Sequence, residues 1–251
     1  MNVKIINLKR FFSFAKNIIF SLIIISIVVF AIYTSNYILN SRLYIPTMLQ
    51  KTDLKTIIID AGHGGEDPGA LGKTGALEKD INLQISNILG EMLSREGFAV
   101  IYTRTDDSLL YSESENIKGL RKHYDLKNRC KIASDYPNAI LISLHTNSYS
   151  DESCSGLQVY YSEHNDNSKI LANKIQFSVK ENLQNNNSRN IKSGKELYIL
   201  KNTENVSILI ECGFISNYDE CEKLTQKEYQ KMLCLSILYG IIEYTEEINI
   251  K

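Results

Sequence analysis

The stretch Ile57–Asp80, "IIIDAGHGGEDPGALGKTGALEKD", decides how this chain is read. It opens as an unbroken apolar run, the pattern of a strand buried on both faces. It then enters a loop carrying Gly62, Gly64, Gly65, Gly69, Gly72 and Gly75 with Pro68, and resumes at Leu77 with helical spacing. Glycine admits conformations and close approaches that a Cβ forbids. Such a loop can fold a side chain back over a strand end, or let a bulky substrate approach the backbone. The side chain in question is His63, one of four histidines, and Glu78 opens the helix that follows. Phosphate binding is disfavoured. The segment lacks the Gly-Lys-Ser/Thr ending of a P-loop and the spacing of a dinucleotide fingerprint.

Outward from this stretch, strands and helices alternate. Leu77 to Glu96 places Leu77, Ile81, Ile85, Ile88, Leu89 and Met92 on one helical stripe, with Gly97 where a C-terminal cap belongs. Strands are expected over Phe98–Thr103, Ala139–Leu144, Gly156–Tyr161, Leu197–Leu200 and Val206–Ile210. Helices are expected over Leu126–Ala133, Asn167–Leu183 and Gln226–Glu246, and Asp106–Tyr124 reads mainly as a loop. The pattern predicts an α/β fold, a mostly parallel twisted sheet flanked by helices.

The chain has 251 residues, 43% hydrophobic content and a net charge of −1, which gives no reason to expect a nucleic-acid partner. At the N-terminus, Lys4, Lys9, Arg10 and Lys16 flank an apolar segment, Ile18–Leu39. It is long enough to span a bilayer, and the basic flank predicts that the rest of the chain lies outside the cytoplasm. A cleaved signal peptide with Val29-Phe30-Ala31 at the cleavage site is the alternative. The expected organisation is a signal-anchor or transmembrane segment over 1–40, a linker over 41–55 and a catalytic domain over 56–251. The five cysteines, Cys130, Cys154, Cys212, Cys221 and Cys234, show no CxxC spacing. They read as isolated, partly buried thiols, with room for one disulfide.

Open α/β sheets place their sites at the carboxyl ends of the strands. His63 follows the first strand there, His145 follows "AILIS", Glu211 follows "VSILI", and Glu78 begins the helix after the glycine loop. Two histidines and a carboxylate from separate elements form a plausible three-ligand zinc set with an open position, and a further carboxylate could accept a proton from water. Asn147, Arg104 and Arg129 are candidate substrate-binding residues. Asn147 could equally serve a turn, and the two arginines could equally brace the sheet edge through ion pairs. A bridge to Arg104 or Arg129 is likewise the structural alternative for Glu211. Ser143 lacks a nucleophile elbow, which argues against a serine hydrolase. His123 and His164 sit in polar surroundings and read as exposed.

The motifs "IIIDAGHGG", the Glu of "ALEKD", "LISLHTN" and "ILIECGFISN", together with "TRTDD" and the Arg of "LKNRCKIA", resemble in order and spacing the zinc-dependent N-acetylmuramoyl-L-alanine amidases of the Amidase_3 type. The resemblance spans about Thr56 to Tyr244. It implies one zinc ion held by His63, Glu78 and His145, with Glu211 as the catalytic acid/base. The implied reaction hydrolyses the amide between the lactyl group of muramic acid and the stem peptide's L-alanine. Val206-Ser207 stands where the family often has Pro-Ala, a difference at the strand entry that leaves the metal set intact. One apolar N-terminal segment, one catalytic domain and no wall-binding repeats resemble the CwlD-like germination-specific amidases of spore formers. That likeness implies peptidoglycan as partner, membrane attachment through the N-terminal segment, and an activator protein as a further possible partner. A vegetative autolysin and a non-catalytic wall-binding protein are the alternatives.

Overall fold

In the computed structural model the described residues are 55–250, together with seven helical positions between Phe14 and Phe30. The chain divides into two units, Met1–Asp53 and Leu54–Lys251. Among the described residues no helix is long and apolar enough to cross a membrane. Most of Ile18–Leu39, on which the anchor expectation rests, lies outside them.

The second unit is built on six strands: β1 (Thr56–Ala61), β2 (Ala99–Tyr102), β3 (Ile140–Asn147), β4 (Gln158–Tyr161), β5 (Lys192–Ser193) and β6 (Val206–Phe214). Their order across the sheet is β2-β1-β3-β6-β4-β5, and only the β4–β6 pairing is antiparallel. The expected mostly parallel sheet is therefore present. The helices are α1 (Glu78–Arg95), α2 (Arg121–Asp135), α3 (Asp166–Asn182), α4 (Tyr198–Lys201), α5 (Tyr218–Thr225) and α6 (Lys227–Ile250).

The period-2 alternation of each strand divides the core in two. Ile57, Ile59, Ile142, Leu144, Ile208 and Ile210 face one layer and pack against α1, α3 and α6. Ile58, Leu141 and Leu209 face the other and pack against Cys130 and Ala133 of α2 and Ile199 and Leu200 of α4. Each fully buried isoleucine or leucine contributes roughly 1.5–3 kcal/mol of burial. Truncating one, as in Ile142→Ala, would cost roughly 2–5 kcal/mol.

Three expectations change. Leu197–Leu200 forms no strand: Tyr198–Lys201 is the short helix α4, whose Ile199 and Leu200 are buried in the second layer. A four-residue apolar run carries no period that separates the two states. The expected loop ends earlier, since α2 starts at Arg121. The two central strands also run further than their apolar runs, β3 to Asn147 and β6 to Phe214, so His145 and Glu211 lie within strands. All five cysteines are free.

Candidate active site

Strand register brings the site together. β3 and β6 pair in parallel with His145 opposite Glu211, and the register then shifts so that Asn147 lies opposite Phe214. Gly62 extends the ladder beyond β1 by donating its N–H to Leu144 O at 3.0 Å. His63 follows with φ +61°, a left-handed conformation that non-glycine residues seldom adopt. Glu78 is the first residue of α1, where a carboxylate suits the positive end of the helix dipole.

His63, Glu78 and His145 converge, with one potential ligand atom from each lying within 4.8 Å of the others. His63 Nε2 is 3.1 Å from Glu78 Oε1. His145 Nδ1 is 3.0 Å from the same oxygen. The ring centroids are 5.0 Å apart. Glu78 is held by two backbone donors, Ala70 N–H to Oε2 at 2.9 Å and Thr146 N–H to Oε1 at 3.2 Å. Burial alone would raise its pKa, but His145 and His63 hold it far below the usual carboxylate range. His63 Nδ1 is engaged by Asp67 Oδ2 at 2.8 Å, which leaves Nε2 as the nitrogen that faces the cluster. Lys122 pairs with the same Asp67 oxygen at 2.9 Å.

Two glycines make this convergence possible. A Cβ at Gly62 would meet the His145 ring at 2.3 Å. One at Gly69, where φ is +66°, would meet Glu78 Oε2 at 2.6 Å and His63 Cδ2 at 2.8 Å. At these two positions glycine is required by how closely the backbone packs on the three side chains, whereas Gly64 and Gly72 are pressed against Ser108 and against Ile215 and Cys221.

Glu211 differs from its neighbours. Its Oε2 is buried without a hydrogen-bond partner. Burial pushes its carboxyl up to about 7; the His145 and His63 charges oppose that rise and Glu78 adds to it. A carboxyl poised near neutrality is suited to take up and return a proton. The bridge from Glu211 to Arg104 or Arg129 does not form, because both guanidinium groups are turned to other partners.

Arg129 is 1% exposed. It donates through Nη1 to Asp60 at 2.6 Å, through Nε to Asp125 at 2.8 Å, and to the carbonyls of Ala61 and His63. Thr103 and Ser143 complete Asp60 at 2.8 and 2.6 Å. Arg104 is 3% exposed and spends its donors on the carbonyls of Ala61, Gly62, Lys79 and Asp106. Both arginines brace the glycine loop from inside, and their buried donors leave the substrate reading without geometric support. Asn147 is partly exposed beside Phe214, on the rim of the site. His123 and His164 are exposed, away from the cluster.

Sequence reasoning did not single out Asp60, Asp67 or Asp125. Asp60 had a signal: a carboxylate ending a fully apolar strand must find partners or pay heavily for burial. A small cavity of about 170 Å³ opens beside the two histidines, with Asp67, Lys122, Leu126 and Tyr198 in its wall.

The donor set suits a metal ion. Two imidazoles and one carboxylate on separate, well-braced elements, with one side left open, match the ligand pattern of catalytic zinc sites. Engagement of the outer nitrogen of His63 by Asp67 is the usual means of orienting a ligating imidazole.

Fold, cluster and neighbouring acid fit a hydrolase. The N-acetylmuramoyl-L-alanine amidase model of the Amidase_3 type matches residues 57–243, and the chain belongs to this family of peptidoglycan amidases. Its likeness is to the CwlD type. The germination-specific N-acetylmuramoyl-L-alanine amidase of Bacillus subtilis is 36% identical over 194 residues, covering 77% of this chain and 81% of that protein. The CwlD amidase of Clostridioides difficile, solved in complex with the GerS lipoprotein, is 41% identical with a TM-score of 0.73, covering 76% of this chain and 98% of that one. An N-acetylmuramoyl-L-alanine amidase from Clostridium difficile 630 is 30% identical with a TM-score of 0.68, over 78% and 98% of the two chains.

Proposed function

We propose that this amidase is a zinc enzyme that removes stem peptides from muramic acid in the spore cortex, upstream of muramic-δ-lactam formation and hence of germination. The observation that carries the reading is the unpartnered Oε2 of Glu211 beside the His63–Glu78–His145 cluster. A zinc ion bound by those three residues would supply Lewis acidity toward the amide carbonyl and acidify water.

The chain's own residues account for the rest. Asp67 holds His63 by Nδ1, and the N–H groups of Ala70 and Thr146 hold Glu78, so the ligands are oriented before substrate arrives. Glu211 takes the proton of the attacking water at its free oxygen and delivers it to the leaving L-alanine nitrogen. Asn147 is the further residue assigned to substrate contact, a reading supported by its partly exposed position at the end of β3, two residues beyond His145. The likeness to a germination-specific enzyme supports the cortex assignment. The lipoprotein in the Clostridioides complex supports an activator partner for this chain as well. The basic-flanked apolar segment Ile18–Leu39 supports export and membrane attachment, in the space between the forespore membranes.

The test is metal analysis of the purified protein joined to mass spectrometry of digested cortex and vegetative wall. One zinc per chain and release of peptides from cortex are expected. Binding of either wall without release, with zinc supplied, would reject catalysis. Equal release from vegetative wall would favour an autolysin.

A further inference from the structure

We propose that Arg189 is a specificity-determining residue that recognises a carboxylate on the second or third residue of the leaving peptide. This rests on the amidase reading and concerns the strand ends beyond Glu211.

Gln158 of β4 lies opposite Glu211 in the antiparallel ladder, and Asn147 of β3 lies opposite Phe214. These pairings run along the strand ends from Glu211 to the end of β6. Arg189, in the loop between α3 and β5, lays its guanidinium over the Phe214 ring, 4.2 Å from the centroid. Nε donates to Ser155 O at 2.7 Å, and Nη1 donates to Gln158 Oε1 at a loose 3.3 Å. The ring, the carbonyl and the amide fix the plane of the fork, and none of them neutralises its charge.

The neighbouring acid is committed elsewhere. Glu220 is buried, and its two oxygens accept from the N–H groups of Gly156 and Phe214 at 2.7–3.0 Å. No hydrogen bond among the described residues engages Nη2 of Arg189. A stacked guanidinium with a free edge, which Glu220 influences through its charge but does not hydrogen-bond, is ready for bidentate recognition of an anion.

Reach selects the anion. Phe214 lies three residues beyond Glu211 on β6, on the order of 10 Å at about 3.3 Å per residue, and the register shift shortens that path. An extended peptide covers this span with two to three residues. A carboxylate on the second or third residue of the leaving peptide would therefore meet Arg189 while the scissile amide faces Glu211. Arg189 also lines an open polar cavity of about 900 Å³ between the Asn185–Asn190 loop and α5, with Lys192 and Lys223 but also Asp219 and Glu220 in its wall. It has room for the rest of the leaving peptide.

The experiment uses the zinc-loaded full chain and two soluble glycan-tripeptides that differ only in a free or amidated α-carboxyl on the second peptide residue. The free acid is expected to be preferred about tenfold in kcat/KM, mainly through KM. Arg189→Gln should reduce that ratio to about one, and Arg189→Lys, which keeps the charge and loses the fork, should leave an intermediate ratio. Equal kcat/KM for both substrates in the unmodified protein would overturn the proposal, as would an undiminished ratio in Arg189→Gln. Cleavage of neither substrate by the unmodified protein would instead overturn the amidase reading beneath it. Thermal melting of the variants separates recognition from folding, since a merely structural role would lower the midpoint and leave the ratio intact.

Discussion

The two flanks of β3 are built on opposite plans. On the β1 side, Asp60 accepts from Thr103, Arg129 and Ser143, Arg129 reaches two carboxylates and two carbonyls, and His63 and Glu78 each have fixed partners. On the β6 side, Glu211 lies between His145 and Gln158 in the ladder, buried and with one oxygen unanswered. A saturated polar network holds geometry, because every departure leaves a buried group unpaired. An unsatisfied carboxyl is free to exchange a proton. The contrast teaches that one sheet edge can supply rigidity and reactivity at once, provided adjacent strands divide the work.

The sharpest way to break this comparison is Glu211→Gln. If the β6 flank is the reactive one, peptide release should fall roughly 10²–10⁴-fold while zinc content stays at one per chain. Unchanged turnover would remove the base role. Next in size is Arg129→Ala, which strands Asp60 and Asp125 in the interior. Removing one partner of a buried ion pair costs about 3–5 kcal/mol, so urea unfolding should show a loss of that order. A loss below about 1 kcal/mol would mean that the β1 flank is not the rigid one.

Asp67→Asn weakens the orientation of His63 and removes the charge partner of Lys122. Zinc affinity measured by chelator competition should drop about 10–100-fold, with the fold unaffected in far-ultraviolet circular dichroism.

The smallest expected effects are those of pH on the metal-free protein, and the two flanks differ in sign. Burial would raise the Asp60 pKa, but Arg129, Ser143, His145 and Thr103 hold it below its usual 3.8. An acid depressed in the fold stabilises it above the unfolded value, and that contribution is lost as pH falls through the folded value. Glu211 is raised from 4.5 to about 7, chiefly by burial. Its contribution is present below the unfolded value and is lost as pH rises through about 7. Asp60→Asn should flatten the acid limb of the stability profile and Glu211→Gln the neutral limb. If both substitutions flatten the same limb, the division of labour fails.

Much of this arrangement was legible in the residues themselves. "IIIDAGHGG" announced a buried strand running into a crowded loop, and "LISLH" and "ILIE" ended apolar runs on polar side chains. Strand ends gather at one rim in open α/β sheets, so the His63–Glu78–His145–Glu211 neighbourhood followed from topology. What stayed hidden depends on register and rotamer. Asp67 sits in a glycine loop that has no period, so nothing in its spacing tied it to His63 four residues earlier. Arg129 could be placed near the sheet edge, but which way its guanidinium turned was decided by Asp60 and Asp125, on two different elements. Arg189 lies in an asparagine-rich loop whose course over Phe214 is set by tertiary packing alone.

The intimacy of Gly62 with the His145 ring, 2.3 Å from where a methyl carbon would stand, has a consequence for natural variation. A single-base drift to alanine or serine there would leave the hydrophobic layers intact and the protein abundant, yet would displace the His145 ring from the cluster. Such a lesion would pass any screen for expression or solubility and surface only as a wall that keeps its peptides. Position 62 is thus a place where this lineage can lose its chemistry silently, without first losing its shape.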